Sequence, residues 1–236
     1  MTAELYPVAI LAGGLATRLR PYTETIPKSL VDVNGEPFLA HQLRLLSRQG
    51  VRRVVICSGY HGEMIEEYAG SGGRFGLEVL YSHDGETLLG TGGAIRKALP
   101  LLGERFFVLY GDSYLECDYG AVQQAFEASG RKALMTVYRN EGRYDASNIE
   151  FSGGAILAYD KQRRTPEMRH IDYGLGVFDE SVFETVPAGV PCDLAGVYGD
   201  LLRRGELAGF EVARRFYEIG SFEGLEEFRR YMGGAE

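Results

Sequence analysis

Short apolar runs alternate with segments of helical periodicity over the first 140 residues. Residues 8–11 form an apolar run that leads into Gly13 and Gly14, and residues 38–49 carry leucines on one helical stripe. Parallel strands need long crossover connections, usually helices, so this alternation is typical of a parallel sheet covered by helices. The pattern predicts strands at 8–11, 51–57, 77–81, 106–110 and 133–138, and helices at 38–49, 62–68, 92–99 and 119–128.

The pattern changes after residue 140. Two short β-type runs, 148–151 and 155–159, flank a Ser-Gly-Gly turn and predict a hairpin. Asp193 and Ser221 each precede a run of helical spacing and predict helix N-caps, with a further strand at 210–213. Since no segment has the composition of a linker, we expect one domain over residues 1–236, with a smaller β-containing part from 141 onward.

Charge and cysteine usage narrow the function classes. The chain has 25 basic and 33 acidic residues and a formal net charge of −8, which argues against general affinity for nucleic acid or anionic membranes. Cys57, Cys117 and Cys192 are scattered, which is typical of reduced thiols in a cytosolic protein. The N-terminus has no basic region of the kind that opens a signal peptide, and no apolar run reaches the ~18–20 residues of a membrane span. We therefore expect a cytoplasmic protein.

The segment after the first strand is the most informative for function. Adjacent Gly13 and Gly14 allow backbone N–H groups to approach a polyphosphate, Arg18 offers a planar charged fork, and Lys28 follows a stiff proline. The segment lacks the Gly-Lys-Ser/Thr of a P-loop and the spacing of G-x-G-x-x-G, which opposes a dinucleotide-binding dehydrogenase. The alternative is a glycine-rich turn with solvated basic residues.

A carboxylate follows another predicted strand. Residues 106–110 end in Gly111 and Asp112, which would bring Asp112 to the carboxyl edge of the sheet. Mg²⁺ prefers one or two carboxylates together with phosphate oxygens and water, and Asp112 suits that role. A turn or helix-capping aspartate is the alternative.

Four motifs together resemble those of the sugar-1-phosphate nucleotidylyltransferases, nearest the short mannose- and heptose-1-phosphate guanylyltransferases. They are Leu-Ala-Gly-Gly-x-x-Thr-Arg-Leu-x-Pro at 11–21, Pro-Lys at 27–28, Gly-Thr-Gly-Gly-Ala-Ile at 90–95 and Tyr-Gly-Asp at 110–112. The resemblance implies a Rossmann-like three-layer α/β fold with a mixed, mainly parallel sheet. Its nucleotide-binding part would cover 1–140 and its sugar-phosphate-binding part 141–236. It also implies transfer of a nucleotidyl group from a nucleoside triphosphate to a sugar 1-phosphate, with release of pyrophosphate.

The same resemblance implies roles for individual residues. Arg18 would hold the triphosphate and Lys28 the α-phosphate, while Asp112 and Glu218 would hold Mg²⁺. Glu218 stands where the family usually has aspartate, in Glu-Ile-Gly-Ser-Phe in place of Asp-Ile-Gly-Thr-Pro. The remaining nucleotide-binding residues would be Leu11, Ala12, Gly13, Gly14, Thr17, Thr87 and Gly92.

The sugar-phosphate site is implied by a second group of matches. Lys161 would bind the sugar phosphate and Asp160 a sugar hydroxyl. Tyr144 would complete the pocket, and Asp172, Tyr173 and Gly174 would form its far wall. Asp145 follows Tyr144 where the family has glycine. Since a sugar phosphate is already ionised, the reaction needs no general base, and the sequence shows no evident Ser-His-Asp or Cys-His set.

The sequence leaves alternatives for the base of the nucleoside triphosphate and for the role of the chain. Guanine presents two adjacent donors that a carboxylate can read, but Thr87 stands where guanylyltransferases commonly have glutamate, with Glu86 shifted by one residue. The sequence favours GTP, with UTP or CTP as alternatives. A regulatory subunit that binds nucleotide sugars without catalysis is the second hypothesis, and formation of homo-oligomers is left open.

Overall fold

The computed structural model describes residues 4–234, which form thirteen strands and six α-helices. The strands are β1 (Val8–Ala12), β2 (Asp32–Val33), β3 (Glu36–Pro37), β4 (Arg53–Ser58), β5 (Glu78–His83), β6 (Arg105–Tyr110), β7 (Ser113–Tyr114), β8 (Ala133–Arg139), β9 (Ile149–Ser152), β10 (Ala155–Tyr159), β11 (His170–Asp179), β12 (Leu207–Val212) and β13 (Tyr217–Glu218). The helices are α1 (Phe38–Gln49), α2 (Gly62–Ala69), α3 (Gly90–Leu102), α4 (Tyr119–Ser129), α5 (Leu194–Arg203) and α6 (Phe222–Met232).

One mixed sheet runs through the molecule. Its strands follow the order β10-β9-β11-β6-β1-β4-β5, with β8 beside β11 and β12 beside β8. β1 is parallel to β4 and β6, whereas β11 is antiparallel to β6 and β8. After β1 the chain adds β4 and then β5 on one side of β1, and it then adds β6 on the other side of β1. This reversal of direction opens a crevice at the carboxyl ends of β1 and β6. This is the predicted α/β sheet.

Alternate residues of the strands face opposite helical layers. Val8 and Ile10 belong to the core beneath α1, α2 and α4, whereas Ala9 between them belongs to the core beneath α3 and α5. This period of two produces three layers, with the sheet buried between two sets of helices.

Helix α1 has the boundaries that its sequence predicts. Pro37 precedes it in an extended conformation, and Gly50 ends it with φ at +94° while donating its N–H to Leu46 O. A residue with a Cβ disfavours that left-handed conformation, which explains the glycine.

Helix α6 supports a small separate core. Phe228 packs against Phe38 and Tyr114, and buried Ile219 belongs to the same cluster. This packing holds the short strand β13 against β7.

The longest strand, β11, is missing from the sequence-based assignment. Gly174 and Gly176 interrupt its β-type residues and weaken the strand signal. Its pairing with β8 shifts register between Asp172 and Gly176, so the strand bulges there. Within residues 4–234, no helix combines the length and apolarity needed to cross a membrane.

Candidate active site

The ends of β1 and β6 are packed closely at the crevice. Gly111 donates its N–H to Leu11 O at 3.0 Å, and a Cβ on Gly111 would lie 2.5 Å from that oxygen. Glycine is therefore required at 111 if the two strand ends are to approach this closely. The turn brings Asp112 beside the loop that follows β1.

A first cavity opens above these strand ends. Six predicted site residues line it: Leu11, Ala12, Gly13, Gly14, Lys28 and Asp112. Thr17 begins a short 3₁₀ helix that carries Arg18, and both residues are exposed at the end of the same loop.

Lys28 and Asp112 form an ion pair. Lys28 Nζ lies 2.6 Å from Asp112 Oδ2, and each side chain is 21% exposed. Lys28 begins a short 3₁₀ helix behind Pro27, which is extended. The cation and the carboxylate therefore stand together at the border of the cavity, with limited access to water.

Glu218, which is near the C-terminus in sequence, lies beside Asp112 in the structure. β13 pairs antiparallel with β7, so that Glu218 is opposite Ser113, and Ile219 N–H donates to Asp112 O at 2.9 Å. Burial raises the pKa of the Glu218 carboxyl, and the negative charges of Asp112 and Asp145 raise it further. The two predicted metal ligands are thus brought together.

Arg18 also lies near this carboxylate pair. A Cβ on Gly220 would be 3.1 Å from Arg18 Nη2 and 3.6 Å from Asp112 Oδ2. Glycine at 220 therefore leaves room for both side chains. The positive charges of Arg18 and Lys28 both lower the pKa of Glu218, against the dominant effect of burial.

A second cavity adjoins the first, and Tyr110 and Asp112 line both. Lys161 and Gly174 line the second cavity, as does Glu218. Lys161 Nζ lies 5.5 Å from the centre of the Tyr110 ring, and Gly174 has φ at +100° within the bulge of β11. Asp112 therefore lies where the two cavities meet, with Glu218 on the side of the second cavity.

Besides Thr17 and Arg18, four of the predicted site residues do not line either cavity in the described structure. Thr87 is exposed, and its neighbours Leu88, Gly90 and Thr91 line the first cavity instead. Gly92 N–H donates to Cys192 O at 2.8 Å, and a Cβ there would lie 3.2 Å from Cys192 Sγ. Gly92 thus allows close packing of the segment that precedes α5, and its contact with a nucleotide stays a prediction.

The other two lie at the margin of the second cavity. Tyr144 stacks on Arg215, whose guanidinium carbon is 3.8 Å from the ring centre. Asp160 accepts hydrogen bonds at 2.8 Å from the N–H groups of Gln162 and Arg163, which lower its pKa and close a turn. Their positions favour structural roles rather than contact with a sugar phosphate.

One carboxylate, Asp84, was missed as a site residue, and another, Asp172, was expected only as part of the wall that residues 172–174 form. Asp84 follows β5, lines the first cavity and accepts the Leu89 N–H through Oδ2 at 3.0 Å; burial raises its pKa. Asp172 lines the second cavity, and burial raises its pKa while the charge of Lys161 opposes that effect. Asp172 Oδ2 is buried without a hydrogen-bond partner among the described residues. Asp84 was detectable as a polar residue at the carboxyl end of a strand.

A Ser-His-Glu arrangement is also present, which the sequence did not reveal. Ser58 Oγ lies 2.8 Å from His83 Nδ1, and His83 Nε2 lies 3.0 Å from Glu66 Oε2. Ser58 is fully buried, so its hydroxyl cannot reach a substrate. The three side chains connect α2 to β4 and β5, and their role is structural.

Comparison with known proteins agrees with this geometry. The family described as nucleotidyl transferase matches residues 8–151. The chain is 30% identical over 229 residues to N-acetylmuramate alpha-1-phosphate uridylyltransferase of Neisseria meningitidis, covering 95% of this chain and 97% of the relative. It is 29% identical over 217 residues to mannose-1-phosphate guanylyltransferase catalytic subunit beta of Danio rerio, covering 89% of this chain and 60% of that longer relative.

Solved structures share the fold. HddC from Yersinia pseudotuberculosis, complexed with GMP-PN, superposes with a TM-score of 0.78 at 26% identity, covering 97% of this chain and 100% of HddC. A Bacillus anthracis protein assigned as a glucose-1-phosphate thymidylyltransferase has a TM-score of 0.84 at 22% identity, covering 95% of this chain and 94% of its own. The predicted fold class, of the nucleotide-diphospho-sugar transferase type, is confirmed. The family match over more than half of the chain and the full-length relative agree, and the chain belongs to the nucleotidyl transferase family, among its sugar-1-phosphate nucleotidyltransferases.

Proposed function

We propose that this enzyme transfers a guanylyl group from GTP to a hexose or heptose 1-phosphate in a Mg²⁺-dependent reaction. The main support is that Asp112 lies between two adjoining cavities, with Lys28 Nζ 2.6 Å from its carboxylate. The first cavity would take the nucleotide and the second the sugar phosphate. The two phosphates would then meet beside Asp112.

The reaction brings two anions together, so the protein must align them and offset their charge. An oxygen of the sugar phosphate attacks the α-phosphorus, a new P–O bond forms, and pyrophosphate leaves with the electrons of the broken bond. Arg18 and Lys28 would stabilise negative charge on the triphosphate, and Lys161 would hold the attacking phosphate. The attacking group is already ionised near neutral pH, so no residue has to remove a proton.

The donor set suits magnesium. Asp112 and Glu218 supply two carboxylates, and substrate phosphates and water would complete the oxygen ligands. Among the described residues, no group of three or more His, Cys, Asp or Glu side chains is arranged to hold a metal by itself. Such a site would bind Mg²⁺ together with the nucleotide, and the ion would neutralise phosphate charge.

Asp84 supports GTP as the donor. Its Oδ2 accepts the Leu89 N–H, which leaves Oδ1 to accept from one of the donors on the edge of guanine. The solved relative HddC was complexed with GMP-PN, which is consistent with this choice. UTP is the alternative donor, because the relative that covers nearly the whole chain is a uridylyltransferase.

Asp172 and Lys161 support a neutral sugar in the second cavity. Lys161 can pair with the phosphate, whereas the buried carboxylate of Asp172 can accept from sugar hydroxyls. A sugar that carries its own carboxylate would be repelled by Asp172. The proposal therefore favours hexose and heptose 1-phosphates without acidic substituents.

The test is a pyrophosphate-release assay with Mg²⁺, four nucleoside triphosphates and a panel of hexose, heptose and N-acetylmuramate 1-phosphates. We expect turnover with GTP and a neutral sugar 1-phosphate. Turnover with UTP alone would refute the choice of base, and turnover with N-acetylmuramate 1-phosphate alone would refute the choice of sugar. No release with any pair, together with tight binding of a nucleotide sugar, would support the regulatory hypothesis instead.

A pair of variants tests the metal site. Asp112→Asn should lower kcat by about 10²–10³-fold, since it removes a carboxylate that would hold the Mg²⁺ needed to offset the phosphate charge. Asp118→Asn removes an equal charge at the N-cap of α4, where the amide can still accept from Ala121 N–H, and should retain wild-type turnover. Equal activity in the two variants would remove Asp112 from the metal site.

A further inference from the structure

Four flat side chains lie one on another beside the second cavity. The guanidinium carbon of Arg215 is 3.8 Å from the ring centre of Tyr144 and 4.3 Å from that of Tyr217. The Tyr217 ring in turn stacks on Tyr231, with centres 4.1 Å apart and planes within 19°. We call Tyr144, Arg215, Tyr217 and Tyr231 the stacked column.

Hydrogen bonds from its N–H groups fix the guanidinium of Arg215 within this column. Its Nη1 and Nη2 donate to the two carboxylate oxygens of Glu227 at 3.0 and 2.9 Å, and its Nε donates to Phe216 O at 3.2 Å. A bidentate fork of this kind sets the orientation of a guanidinium as well as its place. Because Glu227 also neutralises its charge, Arg215 is poorly suited to bind a phosphate itself.

The column connects two segments that border the second cavity. Tyr144 precedes Asp145, and Tyr217 precedes Glu218; both acidic residues line that cavity. Buried Asn140 holds the backbone on either side of the Tyr144 ring, since its Oδ1 accepts from the backbone N–H of Tyr144 at 3.2 Å and its Nδ2 donates to Asp145 O at 2.5 Å. A displacement of the ring would therefore move the backbone that forms one wall of the cavity.

We propose that Arg215 is a positioning residue that holds the 140–147 segment against the second cavity and fixes its place relative to Glu218. This inference rests on the proposed function, in which the second cavity takes the sugar 1-phosphate. It gives Tyr144 a role through the face of its ring, whereas the family resemblance implies direct contact with the sugar phosphate. It also explains why an arginine stands between two tyrosines, where lysine lacks the planar fork and the stacking surface.

The kinetic test uses three variants and one control. Arg215→Lys and Tyr144→Ala should each raise KM for the sugar 1-phosphate by about five- to thirtyfold, with KM for the nucleoside triphosphate changed by less than about twofold. Tyr144→Phe keeps the ring face and should retain the wild-type KM. Arg44→Lys is the matched control, because Arg44 also forms a bidentate pair with a glutamate, Glu36, outside both cavities; it should leave both KM values unchanged.

The double variant Arg215→Lys/Tyr144→Ala should raise KM by clearly less than the product of the two single effects, because the stacking contact between Arg215 and Tyr144 is lost in both single variants. Independent multiplication of the two effects would overturn the proposal. Equal losses in Tyr144→Phe and Tyr144→Ala would overturn it too, since the hydroxyl and not the face of the ring would then carry the role of Tyr144. An unchanged KM in Arg215→Lys would have the same consequence.

Amide hydrogen exchange separates this proposal from the proposed function. If the wild-type protein releases no pyrophosphate with any substrate pair, the proposed function fails, and exchange in the 140–147 segment still tests the column. Faster exchange there in Arg215→Lys than in wild type and Arg44→Lys would support the positioning role. Equal exchange in all three proteins would refute it.

Discussion

Substitution of Gly111 by alanine tests the close approach of β1 and β6. The added Cβ would lie 2.5 Å from Leu11 O and 3.0 Å from Leu11 C, about 0.9 Å short of ordinary contact with the oxygen. Both neighbours are backbone atoms, so a rotamer change cannot relieve the overlap. The strand ends must separate, and the Gly111 N–H bond to Leu11 O, which is 3.0 Å long, is lost or weakened.

The expected cost follows from those two effects. Overpacking of a close-packed site costs about 1–3 kcal/mol, and a lost backbone hydrogen bond about 1 kcal/mol, so the free energy of unfolding should fall by about 2–4 kcal/mol. For a chain of this length that corresponds to a melting temperature lower by roughly 5–15 °C. Chemical denaturation followed by circular dichroism measures the free energy, and a thermal scan measures the midpoint.

Gly14→Ala is the matched control. A Cβ on Gly14 would meet nothing within 4 Å among the described residues, so the free energy of unfolding should change by less than about 1 kcal/mol. Because Gly14 lines the first cavity, its added methyl should instead raise KM for the nucleotide. The steric argument is refuted if Gly111→Ala unfolds at the wild-type denaturant concentration, or if the two variants lose equal stability.

Three further substitutions or treatments test other parts of the site. Lys28→Met should lower kcat by about 10²-fold or more, since it removes a positive charge beside Asp112, and a wild-type rate would exclude Lys28 from the reaction. Asp84→Asn should make the nucleotide-free protein more stable than wild type at pH 7–8, because burial raises the pKa of Asp84 above its usual 3.8 and so disfavours its charged form in the folded state. The advantage should shrink as the pH falls through that raised pKa, where wild type becomes protonated, and urea titrations across pH would contradict this if the difference grew instead. Cys57, which is buried with its pKa raised to about 12, should stay unmodified by a thiol reagent while partly exposed Cys192 reacts, as peptide mass spectrometry can show.

The sequence predicted the central part of the site for a physical reason. Parallel strands bring their carboxyl ends to one edge of the sheet, so the loop after β1 and the residue after β6 were expected at the same edge. The direct pairing of β1 with β6 makes them neighbours. The meeting of Asp112 with Glu218 followed from the family resemblance, and the pairing of β7 with β13 brings them together in the structure. Their roles as metal ligands stay a prediction.

Other features could not be found from the sequence. The ungapped alignment predicts that residues 86–91 lie near the base, but it cannot predict which side chains face inward. In the structure Leu88 and Thr91 line the first cavity and Thr87 does not. The glycines of α3 are a similar case. A glycine that allows a nucleotide to approach and one that allows another chain segment to approach look alike in the sequence. Tyr144 was placed by its motif alone, and the pattern had no means of showing that Arg215 covers its ring.

The position of β11 between β6 and β8 has a consequence for dividing this enzyme into two fragments. That strand belongs to the second half of the chain, yet it hydrogen-bonds on both sides to strands of the first half. A fragment that stops at residue 140 would leave facing edges of β6 and β8 unpaired, and bare edges of this kind invite self-association. Separate expression of the two halves should therefore give aggregates, whereas co-expression should restore an intact sheet by complementation.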